Sequence, residues 1–352
     1  MIITAQAPCR IDLAGGTLDI WPLYLFHSNA VTVNFAINCF ARCLLAPRSD
    51  GRIVMRSDDQ NEAEVFDSLK QLRAAPGYRL PLAAYLAKFF APPSGFNLYT
   101  HSQSPAGGGI AGSSTLIICV SSVLNRFTGA GYSLEEIRPI AQNIEAQIIR
   151  VPTGCQDYYP AMYGGVSAIE LREDGIRRQA ISVNAAELNE RFVLAYTGAP
   201  RNSGINNWEV TKAYVDGQRT VHRNFDQITA ISQAMRRALE QGAWDEAGRL
   251  LREEWAHRRA NYPGITTPLI DELVKFSRRA GALGAKVCGA GGGGCVFFLV
   301  QRGAKARVSE VLRARGALVM DVKAHPRGVR VRTLPLRREV TKRGRRLEPE
   351  TR

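Results

Sequence analysis

Apolar and polar residues alternate at the start of the chain. Ile11 and Leu13 alternate with Arg10 and Asp12, which predicts a strand over residues 2–13 and a turn at the glycines that follow. Stretches of strand-like composition then occur at 31–37, 39–45, 52–55, 96–100, 166–171, 192–196, 296–300 and 317–322. Strands therefore run through the whole chain, which excludes an all-helical protein.

Helical periodicity occurs between these strands. Ser133 and Glu136 match a capping box, and isoleucines then recur at helical spacing, which predicts a helix to about residue 150. Other helical patterns cover 81–90, 208–240, 243–260, 266–280 and 304–315. The mixture predicts an α+β chain with a junction near 172–190.

A glycine-rich stretch, Ser104 to Thr115, places flexible backbone directly before the apolar run Leu116 to Val120. Its four glycines permit positive φ and close approach of another group. The apolar run predicts a buried helix that opens at the two serines, so loop amides and the helix dipole would converge on an anion site. A glycine-rich turn with nothing bound is the alternative.

Composition indicates a globular chain long enough for two domains, with 352 residues of which 45% are hydrophobic. The seven cysteines are scattered and lack metal-ligand spacing, which indicates reduced thiols in a cytoplasmic protein. The N-terminus lacks the pattern of a signal peptide, and no apolar run reaches about 18 residues. We therefore expect neither secretion nor membrane insertion.

The formal net charge is +14, and much of the excess follows Arg327. We expect residues 334–352 to form a disordered basic tail. No nucleic-acid-binding motif accompanies the charge, so a nucleic-acid partner is not expected. A basic surface equally suits an anionic small molecule.

Three motifs now coincide: Ala7 to Gly16, residues 105–115, and the second glycine cluster Lys286 to Gly294. Their order and spacing resemble the GHMP kinase superfamily, named for galactokinase, homoserine kinase, mevalonate kinase and phosphomevalonate kinase. The resemblance covers nearly all of the chain up to the basic tail. It implies a two-domain α+β fold, with a ribosomal-protein-like ATP-binding domain over 1–180 and a ferredoxin-like domain over 190–333.

Within the superfamily, the chain is most similar to bacterial sugar kinases of the heptose 7-phosphate kinase type. The residues that carry this likeness are Ala14 to Asp19, Glu145, Gly154 to Tyr158, Gly164-Gly165, and Tyr196 to Gly198 followed by Arg201. Galactokinases carry a Glu-His pair where this chain has Gly16-Thr17, and the heptose enzymes usually have a third glycine and a threonine where it has Thr17-Leu18. The implied acceptor is the anomeric hydroxyl of a heptose 7-phosphate. The alternatives are a fucose-like or uronic sugar, or a non-catalytic regulator that binds sugar and ATP.

The resemblance also implies ATP and Mg²⁺ as cofactors. The residues expected to hold the ATP phosphates are Pro105, Gly107, Gly108, Gly109, Ala111, Gly112, Ser113 and Ser114. Because the loop is one residue longer than the family pattern, either Ser113 or Ser114 would meet the metal together with Glu145. A solvated helix carboxylate is the alternative role for Glu145.

The implied catalytic pair is Asp157, which would accept or orient the acceptor proton, and Arg10, which would stabilise the transferring phosphoryl group. The expected substrate contacts are Asp19, Gly16, Thr17, Gly291 and Arg201. Lys286 would either contact a substrate phosphate or support the third motif. Asp157 and Asp19 could instead be turn residues, and Arg10 and Arg201 surface arginines.

The expected partner is thus a small-molecule sugar or sugar phosphate. The sequence is compatible with a monomer and with a homodimer.

Overall fold

The structure is a computed structural model that describes residues 1–200 and 203–335. Arg201 and residues 336–352, which make up most of the predicted basic tail, lie outside the described residues. Within the described ranges, none of the helices has the length and apolar character needed to cross a lipid bilayer.

The strands of the described residues form two sheets, one of eight strands and one of four. They are β1 Ile2–Ala14, β2 Val31–Pro47, β3 Ile53–Ser57, β4 Glu62–Phe66, β5 Phe96–Ser102, β6 Val166–Arg172, β7 Gly175–Ile181, β8 Phe192–Tyr196, β9 Ala282–Val287, β10 Cys295–Val300, β11 Leu318–Met320 and β12 Arg330–Leu334. The helices are α1 Leu69–Ala74, α2 Pro81–Phe90, α3 Gly112–Thr128, α4 Leu134–Ile149, α5 Tyr158–Tyr163, α6 Ala185–Glu190, α7 Ser203–Val215, α8 Arg219–Glu240, α9 Trp244–Arg259, α10 Pro268–Arg279 and α11 Lys305–Arg313. Short 3₁₀ turns cover Leu23–Phe26 and Pro263–Ile265.

The first sheet has the strand order β12-β1-β2-β5-β3-β4, with β6 on β2 and β7 on β6. The two strands predicted over 31–45 are one strand, β2, which is long because it has two partners on one edge. Its first half, from Val31 to Phe35, pairs with β6, and its second half, from Ala41 to Pro47, pairs with β5. Helices α2, α3 and α4 share one core cluster with residues of β1, β2, β3 and β5.

The second sheet is antiparallel, in the order β11-β8-β10-β9. Helix α9 packs on β9, and α8 packs on α9 and on β1 and β2, so this helix pair joins the two sheets. Phe35 of the first sheet makes edge contacts with Phe192 and Phe297 of the second, at ring-centroid distances of 5.3 and 6.1 Å. The two units therefore share an apolar core.

The structure differs from the sequence-based expectation in further respects. The helix predicted over 208–240 is two helices, because Gly217 adopts a φ of +76° between α7 and α8. The sequence does not predict strands β4, β7 and β9 or helices α1, α5 and α6. Strand β12 pairs with β1 and belongs to the first sheet, whereas the sequence assigned residues up to 333 to the second unit.

Candidate active site

A cavity of about 550 Å³ opens where the glycine-rich stretch, β1, α4 and α9 come together. Predicted site residues from distant parts of the chain line it: Arg10, Thr17, Asp19, Pro105, Gly107, Gly108, Gly109, Ala111, Gly112, Ser113, Ser114, Glu145 and Asp157. Two predicted residues, Gly16 and Gly291, do not line it. Most of the predicted site residues therefore lie together around one cavity.

Within the glycine-rich stretch the loop ends at Ala111, which takes a φ of +65° before the first residue of α3. No side chain caps this helix start, so its first turn presents backbone N–H groups where an anion can accept them. Arg10 holds the loop through two hydrogen bonds. Its backbone N–H donates to the Ile110 carbonyl at 3.0 Å, and its Nη1 donates to the Gly109 carbonyl at 2.6 Å. The loop is thus held in a shape that suits phosphate groups.

The second glycine cluster supports this loop. The N–H of Cys295 donates to the Gly108 carbonyl at 2.8 Å, and a Cβ on Gly294 would lie 2.7 Å from the Gly107 carbonyl oxygen. Only glycine allows such an approach. A Cβ on Gly291 would lie 2.4 Å from the Ile265 carbonyl oxygen, so Gly291 serves packing there, and the residues of this cluster that line the cavity are Gly289 and Ala290.

Arg10 and Asp157 form an ion pair across 147 positions of sequence. Both Nε and Nη2 of Arg10 donate to the same oxygen, Asp157 Oδ1, at 2.8 and 2.5 Å. The Arg10 side chain is 3% exposed and the Asp157 side chain 28% exposed. Burial alone would lower the pKa of the Arg10 guanidinium, but the carboxylates of Asp157 and Asp12 outweigh it and raise that pKa. Arg10 is therefore a fixed cation, held against a carboxylate that lines the cavity.

Glu145 lies in a buried cluster of hydroxyl groups. Its carboxylate accepts hydrogen bonds from Ser113 at 2.6 Å, from Ser114 at 2.9 Å and from Tyr158 at 2.5 Å. Burial raises the pKa of the Glu145 carboxyl, and the hydrogen bonds from Ser113 and Tyr158 oppose this rise. Hard oxygen atoms thus converge beside the phosphate-binding loop, which is the donor set that Mg²⁺ prefers.

Asp19 lines the same cavity, and backbone N–H groups hold its carboxylate. It accepts from the N–H of Thr17 at 3.2 Å and from the N–H of Gln156 at 2.9 Å. Burial, followed by the charge of Asp157, raises the pKa of Asp19 to about 6. Thr17 takes a φ of +82°, which is costly for a β-branched residue and accompanies its place in the cavity wall.

Lys286 lies in a group of four buried charges formed with Asp12, Glu254 and Arg258, here called the charge quartet. Its ammonium contacts Asp12 Oδ2 at 2.9 Å and Glu254 Oε1 at 2.7 Å, and it is fully buried. Lys286 therefore cannot reach a phosphate in the cavity, and of its two predicted roles the structure supports the structural one. Burial would raise the pKa of Asp12, but Lys286 and then Arg258 outweigh it and lower that pKa.

Arg258 belongs to the charge quartet and also lines the cavity. Its Nη1 lies 3.4 Å from Asp12 Oδ2, and its Nη2 donates to the Gly289 carbonyl at 2.6 Å. A Cβ on Gly16 would lie 2.4 Å from Asp12 Oδ2 and 2.6 Å from Arg258 Nη1, so the glycine leaves room for these buried charges. The sequence does not single out Arg258, because a helical arginine carries no motif, and it does not indicate that Asp59 and Asn207 line the cavity.

A second, apolar cavity of about 120 Å³ adjoins the first. Gln60, Leu82 and Leu116 line both cavities. The remaining walls come from β3, β5 and the start of α2, and they include Met55, Leu80, Pro81, Ala83 and Leu98. A flat, mostly apolar group attached to a polyanion could therefore occupy the two cavities together.

The fold and the cavity are those of a class of protein: a two-domain small-molecule kinase, in which a glycine-rich loop before a helix shares a cavity with a carboxylate held by an arginine. Comparison with known families agrees. The GHMP kinases N terminal domain matches residues 78–165, and the GHMP kinases C terminal domain matches residues 235–318. The chain belongs to the GHMP kinase superfamily and is a phosphotransferase with an alcohol group as acceptor, of the sugar-kinase type.

Individual relatives are consistent with this assignment. The D-glycero-alpha-D-manno-heptose 7-phosphate kinase of Campylobacter jejuni is 27% identical over 93% of this chain and 98% of its own length. The L-fucokinase/L-fucose-1-P guanylyltransferase of Bacteroides fragilis is 27% identical over 85% of this chain but only 35% of its own length. The crystal structure of a D-glycero-D-manno-heptose 1-phosphate kinase from Bacteroides thetaiotaomicron matches with a TM-score of 0.74 at 22% identity, covering 95% of this chain and 99% of that one.

Proposed function

We propose that the protein transfers the γ-phosphoryl group of ATP to the anomeric hydroxyl of a sugar phosphate, with a heptose 7-phosphate as the best candidate. The observation that carries this proposal is the placement of Asp157, which shares one cavity with the phosphate-binding loop and with Asp19. The heptose assignment is supported by the Campylobacter jejuni relative, which aligns with the chain over nearly its whole length.

In this proposal the backbone N–H groups of residues 107–114 bind the phosphates of ATP, and the apolar cavity receives its adenine ring. Phosphoryl transfer needs little covalent chemistry from the protein, so alignment and charge neutralisation carry most of the catalysis. Asp157 orients the acceptor hydroxyl and accepts its proton, while the Arg10 guanidinium stabilises the charge on the transferring group. Asp19 accepts hydrogen bonds from hydroxyl groups of the sugar.

Glu145 and Ser113 are the proposed protein ligands of Mg²⁺, because Ser113 is exposed to the cavity whereas Ser114 is buried at 3% exposure. Mg²⁺ bound there would neutralise charge on the phosphate oxygens. The hydroxyl groups of Ser113, Ser114 and Tyr158 orient the Glu145 carboxylate through hydrogen bonds.

A phosphate already present on the acceptor needs a cation. Among the described residues that line the cavity, the cations are Arg10 and Arg258. Arg10 is assigned to the transferring phosphoryl group, so Arg258 is the candidate contact for that phosphate among these two. Arg201, which lies outside the described residues, stays the candidate from the sequence. A free sugar, such as a fucose-like or uronic one, would not need this contact and is the alternative acceptor.

ADP release with Mg-ATP and a panel of free sugars and sugar phosphates tests the proposal. We expect turnover with a heptose 7-phosphate, and NMR of the product should place the new phosphate on C1. Turnover restricted to an unphosphorylated sugar would contradict the acceptor assignment but keep the kinase chemistry. No turnover on the whole panel, with ATP still bound, would contradict the catalytic proposal.

The pKa of Asp19 predicts that kcat/KM for the acceptor decreases at acidic pH, which gives its pH profile an acidic limb. A protonated carboxyl loses its capacity to accept two hydroxyl hydrogen bonds, so kcat/KM for the acceptor should fall about tenfold per pH unit below about pH 6. The value of kcat/KM for ATP, measured at saturating acceptor, should not fall in the same pH range. In Asp19→Asn the limb should disappear and the acceptor KM should rise. An unchanged limb in Asp19→Asn would assign the titration to another group.

A further inference from the structure

Tyr158 has a role that neither the sequence motifs nor the relatives assign. It is the first residue of α5, directly after Asp157, and its side chain is fully buried. Its hydroxyl donates to Glu145 Oε2 at 2.5 Å. A buried tyrosine hydroxyl requires a partner, and here that partner is the carboxylate beside the phosphate-binding loop.

The two oxygens of Glu145 have different surroundings. Oε2 accepts from Tyr158 and from Ser114 at 2.9 Å, and both of these donors are buried. Oε1 accepts from Ser113 at 2.6 Å and more weakly from Ser114 at 3.2 Å. Ser113 is exposed and lines the cavity, whereas Ser114 lines it at 3% exposure and Tyr158 does not line it. The Oε1 side is therefore the one that can exchange a hydrogen bond for a cation with the least disturbance of the interior.

We propose that Tyr158 is a positioning residue for the divalent cation. It holds Glu145 Oε2 inside the protein, so that Oε1 alone is presented toward the cavity. Mg²⁺ demands near-octahedral geometry with short bonds, and a carboxylate that is free to rotate meets this demand poorly. The inference rests on the proposed role of Glu145 as a cation ligand, and it adds a reason why that ligand is correctly oriented.

The position of Tyr158 in the chain gives this contact a second consequence. Asp157 and Tyr158 are consecutive, and Arg10 fixes the first while Glu145 fixes the second. The distance between the proton-accepting group and the cation ligand is therefore set by one short piece of backbone at the start of α5. Small errors in such distances are costly for phosphoryl transfer, which depends on alignment.

The test compares Tyr158→Phe with Tyr159→Phe. Tyr159 is the matched control, because it is equally buried but its hydroxyl lies 3.5 Å from the Ile176 carbonyl oxygen, away from Glu145. Affinity for Mn²⁺ is measured by electron paramagnetic resonance on the full chain saturated with a non-hydrolysable ATP analogue. We expect Tyr158→Phe to weaken Mn²⁺ binding about 10- to 100-fold and Tyr159→Phe to leave it within about twofold.

Nucleotide affinity without divalent cation separates positioning from a purely structural role. We expect it to be the same in Tyr158→Phe and in the parent. Loss of nucleotide binding in EDTA, or Mn²⁺ affinity equal to that of the parent, would overturn the inference. Glu145→Gln distinguishes the two proposals: if it too leaves Mn²⁺ affinity unchanged, the cation role of Glu145 itself is refuted, whereas a loss in Glu145→Gln alone refutes only the role of Tyr158.

Discussion

Asp157→Asn is expected to lower kcat by about 10²- to 10⁴-fold, the range that a positioned general base contributes. The amide keeps the shape of the carboxylate and can still accept a hydrogen bond from Arg10 through its oxygen, so the fold should persist. It cannot accept the acceptor proton. The KM values for ATP and for the acceptor should change little, because the loss falls on the transition state. Steady-state kinetics with the best acceptor of the panel measures this.

Asp59→Asn is the control for this variant. Asp59 also lines the cavity, but its carboxylate accepts from Ser57 at 3.0 Å and has no contact with Arg10. Its kcat should stay within a few-fold of the parent. Equal losses in the two variants would mean that cavity charge, and not proton transfer at Asp157, controls the rate.

Arg10→Ala should also be severely impaired, since it removes the cation and leaves Asp157 without its partner. Because the two side chains act as a unit, the double variant should be little worse than either single one. Additive losses would indicate two independent roles.

The parts of the site that the sequence predicts are those encoded locally. A glycine-rich stretch before an apolar helix, a capping box, and a carboxylate after a helix break each carry their signal within about a dozen residues. The structure accordingly has α2 at Pro81–Phe90 and a complete capping box at Ser133. The family resemblance then connects these local features in one site, which spacing alone does not do.

The parts that it does not predict depend on partners distant in the chain. Strand β12 is short and exposed, and its place beside β1 depends on pairing across more than 300 positions. Arg258 lies on a helix rich in charged residues, where nothing local distinguishes it from its solvated neighbours. Gly16 is a similar case. The sequence indicates a turn there, but the close approach of the Asp12 and Arg258 side chains to Gly16 is visible only in the structure.

The charge quartet yields the second large expected effect, this time on stability. Lys286→Met should destabilise the protein by about 3–5 kcal/mol, because Asp12 and Glu254 would remain buried with Arg258 as the one cation left in the charge quartet. That is a large share of the roughly 5–15 kcal/mol that holds most proteins folded. Urea denaturation measures it, with Lys70→Met as the exposed control, which should change stability by less than about 0.5 kcal/mol.

Charge balance, and not the loss of one hydrogen bond, is the cause we assign to this effect, and the double variant Lys286→Met with Glu254→Gln tests it. Removing one charge of each sign leaves Asp12 paired with Arg258, so the double variant should be more stable than Lys286→Met alone. A double variant that is less stable by the sum of both single changes would show that the four groups contribute independently. Since Arg10 and Asp12 lie two positions apart on the same face of β1, restored stability should also restore ATP turnover.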